Sequence, residues 1–270
     1  MSDTRLTRGP HFAAPQLTDY QDKYPNFFQF KREDGVLEIS FESDNDTIVW
    51  GWEALEACSY MWRDVGADPD NEVIVITGKG EDLISSARVS PPPGPVDATF
   101  WHGAHSVVRR LQHAILDVDV PVIAAITGTL ELHAEMFLMS DITICADTAK
   151  FREPHVDWGV VPGDGVHVFW PMAIGVNRAR YFMLTQQELT AQQLHDWGVI
   201  NEVLPRGEVL PRAWEHARYL MTKSESVRSY ARQTGVITLR RAMSNDLPYG
   251  LALEGLGYAV GASDVPAMEG

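Results

Sequence analysis

Apolar positions along the chain follow two alternating patterns. Short apolar runs, typical of buried strands, are separated by longer segments in which apolar residues recur every three to four positions, as on one face of a helix. The runs NEVIVITG and PVIAAITG are mostly apolar and end in Gly78 and Gly128, which is typical of strands buried on both faces of a parallel sheet. Strands are predicted at residues 27–30, 36–41, 47–50, 71–78, 121–128, 142–146 and 150–152, and helices at 52–66, 100–116, 131–139, 165–184 and 210–260.

The alternation of strands and helices predicts a mainly parallel α/β core. Residues 79–98 include SPPPGP at 90–95, which is too rich in proline for regular structure, and the whole stretch is predicted to be a loop. The polar residues 1–25 are predicted to form an N-terminal arm and residues 26–205 the core. Residues 206–270 are predicted to form a C-terminal helical region. Its apolar stripes must pack on the chain's own core or on a neighbouring subunit.

The composition limits the classes of partner. The 270 residues are 45% hydrophobic and carry a formal net charge of −15. Such an acidic surface repels the phosphates of nucleic acids and anionic lipids, so neither nucleic acid nor membrane is an expected partner. No apolar run approaches the ~18 residues that would span a bilayer. Cys58 and Cys145 lie in apolar runs and are expected to be reduced core residues of a cytoplasmic protein.

Four segments together carry a family resemblance. They are VIVITG at 73–78, PVIAAITG at 121–128, SDITICADTAKFREPHVDWGVVPGDG at 140–165 and LTAQQLHDWGVINEVLP at 189–205. In this order and spacing they resemble the crotonase (enoyl-CoA hydratase/isomerase) superfamily. The resemblance implies a spiral of repeated ββα units, followed by a helical region through which the family oligomerises as trimers or dimers of trimers.

The site segments depart from the hydratase pattern of that superfamily. The Gly-Gly-Gly run, whose amides help to bind a thioester oxyanion, is replaced by Leu132-His133-Ala134. The element that holds the second hydratase glutamate reads Pro154-His155-Val156, while Glu135 occupies the position of the first. A different combination resembles the β-diketone hydrolases of the 6-oxocamphor hydrolase type, namely Trp50, His133, His155, Asp164 and Glu254. This resemblance implies a retro-Claisen hydrolysis, in which the C–C bond of a cyclic or bicyclic 1,3-diketone is cleaved to give a chiral keto acid.

The resemblance assigns water activation to His155 and Asp164. They lie nine residues apart, across a loop rich in glycine and proline that can fold back and place the carboxylate against one ring nitrogen. The other nitrogen would then be free to take a proton from water. On spacing alone, the interpretation of both residues as ordinary loop residues is favoured.

Three more residues are candidates for catalysis or binding, and each has a structural alternative. His133 can donate a hydrogen bond to a substrate carbonyl in place of the missing glycine amides, or it can be a satisfied core histidine. The indole of Trp50 can orient the second carbonyl, or it can simply be core. Glu254 can close the pocket or pair with a site histidine, or it can be a solvated helix residue. Leu83, Phe100 and Trp158 are expected to line the pocket or to pack in the core.

Absent motifs limit the cofactors. The sequence has neither an HExxH motif nor paired cysteines, and neither a phosphate loop nor a GxGxxG motif, so we expect no metal and no nucleotide cofactor. The GxSxG elbow of serine hydrolases is absent too. Two alternative functions stay open: a CoA-thioester hydratase, isomerase or hydrolase, which is the commoner activity of this fold, and a non-catalytic crotonase-fold binding protein.

Overall fold

The computed structural model describes residues 13–92 and 94–261. Residues 1–12 of the expected arm therefore lie outside the described residues. The strands are β1 (Phe28–Glu33), β2 (Val36–Phe41), β3 (Ile48–Trp50), β4 (Val73–Gly78), β5 (Asp82–Val89), β6 (Val122–Ile126), β7 (Thr129–Leu130), β8 (Ile142–Ala146), β9 (Lys150–Phe151), β10 (Leu189–Thr190) and β11 (Glu202–Leu204). The helices are α1 (Leu17–Tyr20), α2 (Trp52–Ala67), α3 (Ala98–Asp117), α4 (Glu135–Leu138), α5 (Val166–Ile174), α6 (Val176–Thr185), α7 (Ala191–Asp196), α8 (Arg206–Met221) and α9 (Glu225–Gly261).

The strands form two sheets. One has the order β1-β2-β4-β6-β8-β11 and the other the order β10-β9-β7-β5-β3. Neighbouring strands run parallel except in the β1–β2 and β9–β10 pairs. Along the chain, a strand of the first sheet is followed by a strand of the second and then by a helix, as in β2-β3-α2, β4-β5-α3 and β6-β7-α4. This order confirms the predicted α/β spiral of ββα units with a C-terminal helical region.

The central strands of the larger sheet form the core. Every residue of β6 is fully buried, and β6 pairs in parallel with β4 and β8. α8 contacts β4, β6 and β8. Because strands buried on both faces need apolar side chains at every position, β4 and β6 carry continuous apolar sequence and not an alternation.

The prediction of a loop over residues 79–98 is wrong for its first half. β5 pairs with β3 on one side and with β7 on the other, and Leu83 and Ile84 are fully buried. Two serines and an arginine in the middle of this strand break the apolar alternation that would have predicted it. Residues 90–92 and 94–97 form neither helix nor strand, as predicted.

The predicted helix at 131–139 is reduced to the single turn of α4. His133 has a positive φ of 50°, in the left-handed region, so a right-handed helix cannot include it. The chain instead turns between β7 and α4, and it is this turn that presents His133.

Part of the expected N-terminal arm packs on the core. Tyr20 and Tyr24 are buried, and their hydroxyls donate to Asp68 at 2.9 Å and to Asp64 at 2.7 Å. These aspartates lie at the end of α2, so the described part of the predicted arm is tied to the core through its tyrosines.

The C-terminal helix α9 folds over its own chain. It contacts α3 and α5, and its Leu247 and Leu251 are fully buried. The indole N–H of Trp101 on α3 donates to the backbone oxygen of Leu251 at 3.2 Å. The Arg232 side chain donates to Asp141 at 2.7 Å. α9 has 37 residues, but neither it nor any other described helix has an apolar stretch long enough to cross a membrane.

Candidate active site

A pocket with a volume of about 170 Å³ lies where α3, α9 and the loop after β9 meet. Most of its lining is apolar and includes many aromatic side chains. Its ionisable lining residues are His133, His155, Asp164, Glu254 and Tyr258. The structure thus brings together the four residues expected to act in catalysis, and Trp50, Phe100 and Trp158 line the same pocket.

Leu83, the remaining residue expected in the pocket lining, is not there. It is fully buried on β5, and its side chain packs against Gly78 at the end of β4. Of the two alternatives given for Leu83, packing in the core is the one that the structure shows, because Leu83 lies on a strand and not in the predicted loop.

Tight packing of two flanking glycines holds Asp164 in place. Gly165 has a φ of +128°, and a Cβ there would lie 2.7 Å from the Gln112 side chain. A Cβ on Gly163 would lie 2.2 Å from the backbone oxygen of Gly250 on α9. The Gln112 amide also donates to the backbone oxygen of Asp164 at 2.8 Å. Glycine is therefore required on both sides, and the carboxylate is fixed between α3 and α9.

His155 lies between two carboxylates. Its Nε2 is 3.2 Å from Oδ2 of Asp164, and its Nδ1 contacts Oε1 of Glu153, which is 1% exposed. The expected contact between His155 and Asp164 is present. The expectation that the other ring nitrogen is free is wrong, because Glu153 occupies it.

His133 has a similar environment. Its Nδ1 lies 3.2 Å from Oε1 of Glu135 and 3.5 Å from Oδ2 of Asp164. Its ring centroid is 5.3 Å from that of Trp50 and 5.7 Å from that of His155. Asp164 therefore bridges the two imidazoles, and each imidazole contacts a second, buried glutamate.

The carboxylates favour protonated histidines. Burial alone would lower the pKa of His133, but Asp164 and Glu135 outweigh it and raise the pKa to about 9. Burial opposes the charged form of His155 too, yet Glu153 and Asp164 raise its pKa well above the ordinary value. Burial alone would raise the pKa of Asp164, but the two imidazoliums hold it below the usual range. At neutral pH the cluster therefore contains two imidazoliums around an ionised Asp164.

Glu254 enters the site from α9 and is 5% exposed. Burial, and then the negative charge of Asp164, raise the pKa of Glu254 to about 9. Glu254 is therefore a neutral carboxylic acid at pH 7, a form that can donate a hydrogen bond.

Three polar atoms of the residues that line the pocket are buried without a hydrogen-bond partner: the indole Nε1 of Trp50, Oδ1 of Asp164 and Oε2 of Glu254. A buried polar atom without a partner is costly, so groups of this kind are expected to bind a water or a ligand. The indole nitrogen donates, the ionised carboxylate accepts, and a protonated carboxyl can do either.

The sequence analysis did not single out Glu153, Gln112, Trp101 or Tyr258. Glu153 contacts His155, Gln112 bridges Glu135 and the backbone of Asp164, and Trp101 joins α3 to α9. The one local signal was the order Glu-Pro-His, which places an acid two residues before the candidate base.

Ligand atoms of His133, His155 and Asp164 lie within 4.8 Å of one another, which is close enough to hold a metal ion. Metal ligation requires neutral imidazoles, so an ion there would have to displace the protons that the surrounding carboxylates favour on both rings.

A sequence profile of the enoyl-CoA hydratase/isomerase family matches residues 32–254. The chain belongs to this family. Curated relatives in the family include carnitinyl-CoA dehydratase of Shigella flexneri, which is 29% identical over 197 residues, covering 72% of this chain and 74% of that protein. A probable enoyl-CoA hydratase of Mycobacterium bovis is 30% identical over 188 residues, covering 69% of this chain and 70% of that protein.

Solved structures that are similar to this chain include a β-diketone hydrolase from the cyanobacterium Anabaena sp. PCC 7120, bound to (S)-3-oxocyclohexyl acetic acid. It is 35% identical, with a TM-score of 0.85 over 88% of this chain and 96% of that chain. An enoyl-CoA hydratase/isomerase from Mycobacterium paratuberculosis shares the fold at 22% identity, with a TM-score of 0.77 over 87% of this chain and 94% of that chain.

The charge of this pocket bears on whether it binds a CoA ester. No lysine or arginine is among the described residues that line it, and the two imidazoliums already contact carboxylates, so the lining has no unpaired cation for the phosphates of a CoA ester. A larger groove of 890 Å³ between α2 and α3 does contain Arg109 and Arg110, but its lining includes none of the site histidines.

Proposed function

We propose that this chain hydrolyses the C–C bond between the two carbonyls of a cyclic or bicyclic 1,3-diketone, giving a keto acid without a cofactor. The carrying observation is the pocket itself, which is compact, largely apolar and free of lysine and arginine. Its polar groups include two imidazoles, Asp164, Glu254 and the unpartnered indole N–H of Trp50. These groups suit activation of water and two carbonyl oxygens, and the imidazoles are poor partners for a phosphate because each already contacts carboxylates.

The size of the pocket supports a small carbocyclic substrate. Its volume of 170 Å³ slightly exceeds the ~150 Å³ of a buried cavity that holds benzene. The Anabaena β-diketone hydrolase binds (S)-3-oxocyclohexyl acetic acid. Two ring carbons lie beside the ketone of that molecule, and one of them is opposite the carbon that bears the side chain. Joining the acid carbon to this opposite ring carbon, with loss of water, gives bicyclo[2.2.2]octane-2,6-dione. This symmetric diketone is the substrate that we propose to test first.

The reaction consumes one water. The water oxygen bonds to one carbonyl carbon, and a water proton passes to the neutral form of His155 while Asp164 holds its imidazolium. The tetrahedral intermediate collapses to a carboxylic acid, and the electron pair of the broken C–C bond becomes an enolate conjugated with the second carbonyl. The proton held by His155 returns to the enolate carbon, which completes the keto acid and restores the neutral base. Because the carbanion needs that second carbonyl, simple monoketones are expected to be inert.

The remaining polar groups stabilise the two oxygens. His133 and the Trp50 indole, whose rings lie 5.3 Å apart, are proposed to donate to the oxygen that becomes the enolate. The protonated Glu254 is proposed to donate from the α9 side and to close the pocket there. With the enolate held by these donors, its protonation occurs from one face.

Incubation of the enzyme with bicyclo[2.2.2]octane-2,6-dione, followed by chromatography of the acid on a chiral column, tests the proposal. A single enantiomer of 3-oxocyclohexyl acetic acid is expected. Absence of turnover on this compound and on a panel of related cyclic diketones would refute the proposal.

The curated relatives favour a second candidate, a CoA-thioester hydratase, isomerase or hydrolase. Two features oppose it: the described lining includes no lysine or arginine, and His133 and its neighbours replace the glycine run of the hydratases. Binding to the native state raises a melting temperature by mass action, so thermal shift with acyl-CoA discriminates the two. A clear shift at micromolar acyl-CoA would reverse the ranking. A non-catalytic binding protein would instead have no activity, so substitution of His155 would change none.

A further inference from the structure

Glu153 is a buried carboxylate to which the proposed reaction assigns no role. It is 1% exposed and lies two residues before His155. Its Oε1 contacts Nδ1 of His155 and accepts a hydrogen bond from the backbone N–H of the same residue at 3.3 Å. Glu153 is not among the residues that line the pocket, so it can reach the substrate only through His155.

We propose that Glu153 is a positioning residue that fixes the tautomer and the ring orientation of His155 for the proposed diketone hydrolysis. Glu153 contacts both Nδ1 and the backbone N–H of His155, whereas Asp164 lies 3.2 Å from Nε2 and divides its charge between two imidazoles. The proton on Nδ1 is therefore held more firmly, and a proton lost from the imidazolium leaves from Nε2. Nε2 is the nitrogen that faces Asp164. The base is thereby directed towards the carboxylate and the pocket.

The local backbone makes this arrangement rigid. Pro154 lies between Glu153 and His155, and its ring fixes its own φ at about −65°. The contact of Glu153 with the backbone N–H of residue 155 ties the carboxylate to the same residue whose ring it holds. The ring is therefore held at both nitrogens, by Glu153 on one side and Asp164 on the other.

Several ionisable groups face His155, and each bears on its charge. Glu153 and Asp164 touch the ring, and His133 lies 5.7 Å away between centroids. Glu254 and Tyr258 face it from α9. Without the charge of Glu153, Asp164 would be the one carboxylate touching the ring, and His155 would lose its proton more easily.

Nuclear magnetic resonance of the full chain with ¹⁵N-labelled histidine tests the proposal without any substrate. The side-chain signals of His155 are assigned by their absence in His155→Gln. In the wild type we expect a proton on Nδ1 in both the charged and the neutral form. In Glu153→Gln, an isosteric change, we expect the pKa of His155 to fall by about one unit or more, which gives about tenfold more neutral imidazole at a given pH.

Asp157→Asn is the matched control. It makes the same charge change two residues after His155, on a side chain that is 55% exposed and contacts Arg152 and not the histidine. It is expected to leave the pKa of His155 unchanged. An equal pKa of His155 in Glu153→Gln and Asp157→Asn overturns the proposal. If Glu153→Gln does not fold, the wild-type spectrum decides, because a neutral His155 that carries its proton on Nε2 overturns the proposal as well.

Kinetic measurements on the diketone distinguish positioning of His155 by Glu153 from a merely structural role of Glu153. In Glu153→Gln we expect the pH limb of kcat/KM to move to lower pH with the pKa of His155. We expect its plateau to fall about 10-fold or more, with little change in KM. A fall in rate without movement of the limb overturns the proposal. The magnetic resonance experiment requires no turnover. Absence of any diketone hydrolysis would therefore refute the proposed function, and the spectra would still decide whether Glu153 acts on His155.

Discussion

Replacement of Glu254 by glutamine is expected to stabilise the protein at neutral pH. The folded-state pKa of Glu254 is raised from 4.5 to about 9, by burial first and then by Asp164. Between these two values the folded chain keeps a proton that the unfolded chain releases, so this residue makes the free energy of unfolding fall as the pH rises. Glutamine has nearly the same shape and no proton to lose, so the variant escapes this penalty.

At pH 7 the size of this penalty is set by the pKa of Glu254 in the unfolded chain, provided that its pKa in the folded chain stays above 7. Keeping an acid of pKa 4.5 protonated at pH 7, which is 2.5 pH units higher, costs about 3 kcal/mol, at 1.36 kcal/mol for each unit. For a chain of this size, that corresponds to a rise in Tm of roughly 6–12 °C. The gain should vanish near pH 4.5, where the unfolded chain is half protonated. A buried acid retained at such a cost is the pattern expected of a functional residue.

Thermal and denaturant unfolding of Glu254→Gln and the wild type, at one protein concentration and a series of pH values, measures this difference. Asp246 is an exposed acid on the same helix, and Asp246→Asn serves as the control. Its free energy of unfolding should not diverge from that of the wild type as the pH rises. Equal stabilities of Glu254→Gln and wild type from about pH 5 to 8, or a less stable variant, would show that the acid is ionised or solvated in the folded protein.

His155→Ala should lose nearly all diketone turnover and Asp164→Asn most of it, at unchanged circular dichroism; a mostly retained rate in His155→Ala would move water activation to Glu135. Because the raised pKa keeps His155 charged at neutral pH, kcat/KM should rise with pH between about 6 and 8, and a flat profile contradicts this base. Trp101→Phe removes the bond to Leu251 and should lower the free energy of unfolding by about 1–3 kcal/mol in urea titrations; an unchanged midpoint would mean that this contact contributes nothing. A trimer is expected from the family, and a light-scattering mass that stays near the 30.1 kDa of one chain on concentrating would contradict it.

The strands of the larger sheet could be predicted because their environment leaves a direct trace in the sequence. β4 and β8 are buried on both faces, so apolar residues run through them and their ends fall close to the predicted ones. β5 carries polar residues in its middle and depends on pairing with β3 and β7 for its backbone hydrogen bonds. Such pairing is a tertiary contact, and local periodicity does not reveal it.

The candidate site was predicted unevenly for a similar reason. His133, His155 and Asp164 stand where the family resemblance has diagnostic residues, and the structure places them around one pocket. The left-handed turn at His133 was hidden by an apolar spacing typical of a helix. Glu153 looks like any charged loop residue until its burial is known, and Leu83 looked like a loop residue until β5 was seen.

The position of α9 has a consequence for how the protein is made. Trp101 and Leu251 meet across 150 residues, and Glu254 reaches the pocket from the same late segment. A chain emerging from the ribosome therefore presents both imidazoles and an uncovered aromatic surface, including Phe100 and Trp158, before the helix that closes the pocket has been translated. During that interval we expect the nascent chain to be inactive and prone to aggregation, and hence a client for chaperones. Translation of α9 ends that exposure, and docking of this helix completes the pocket in the same event.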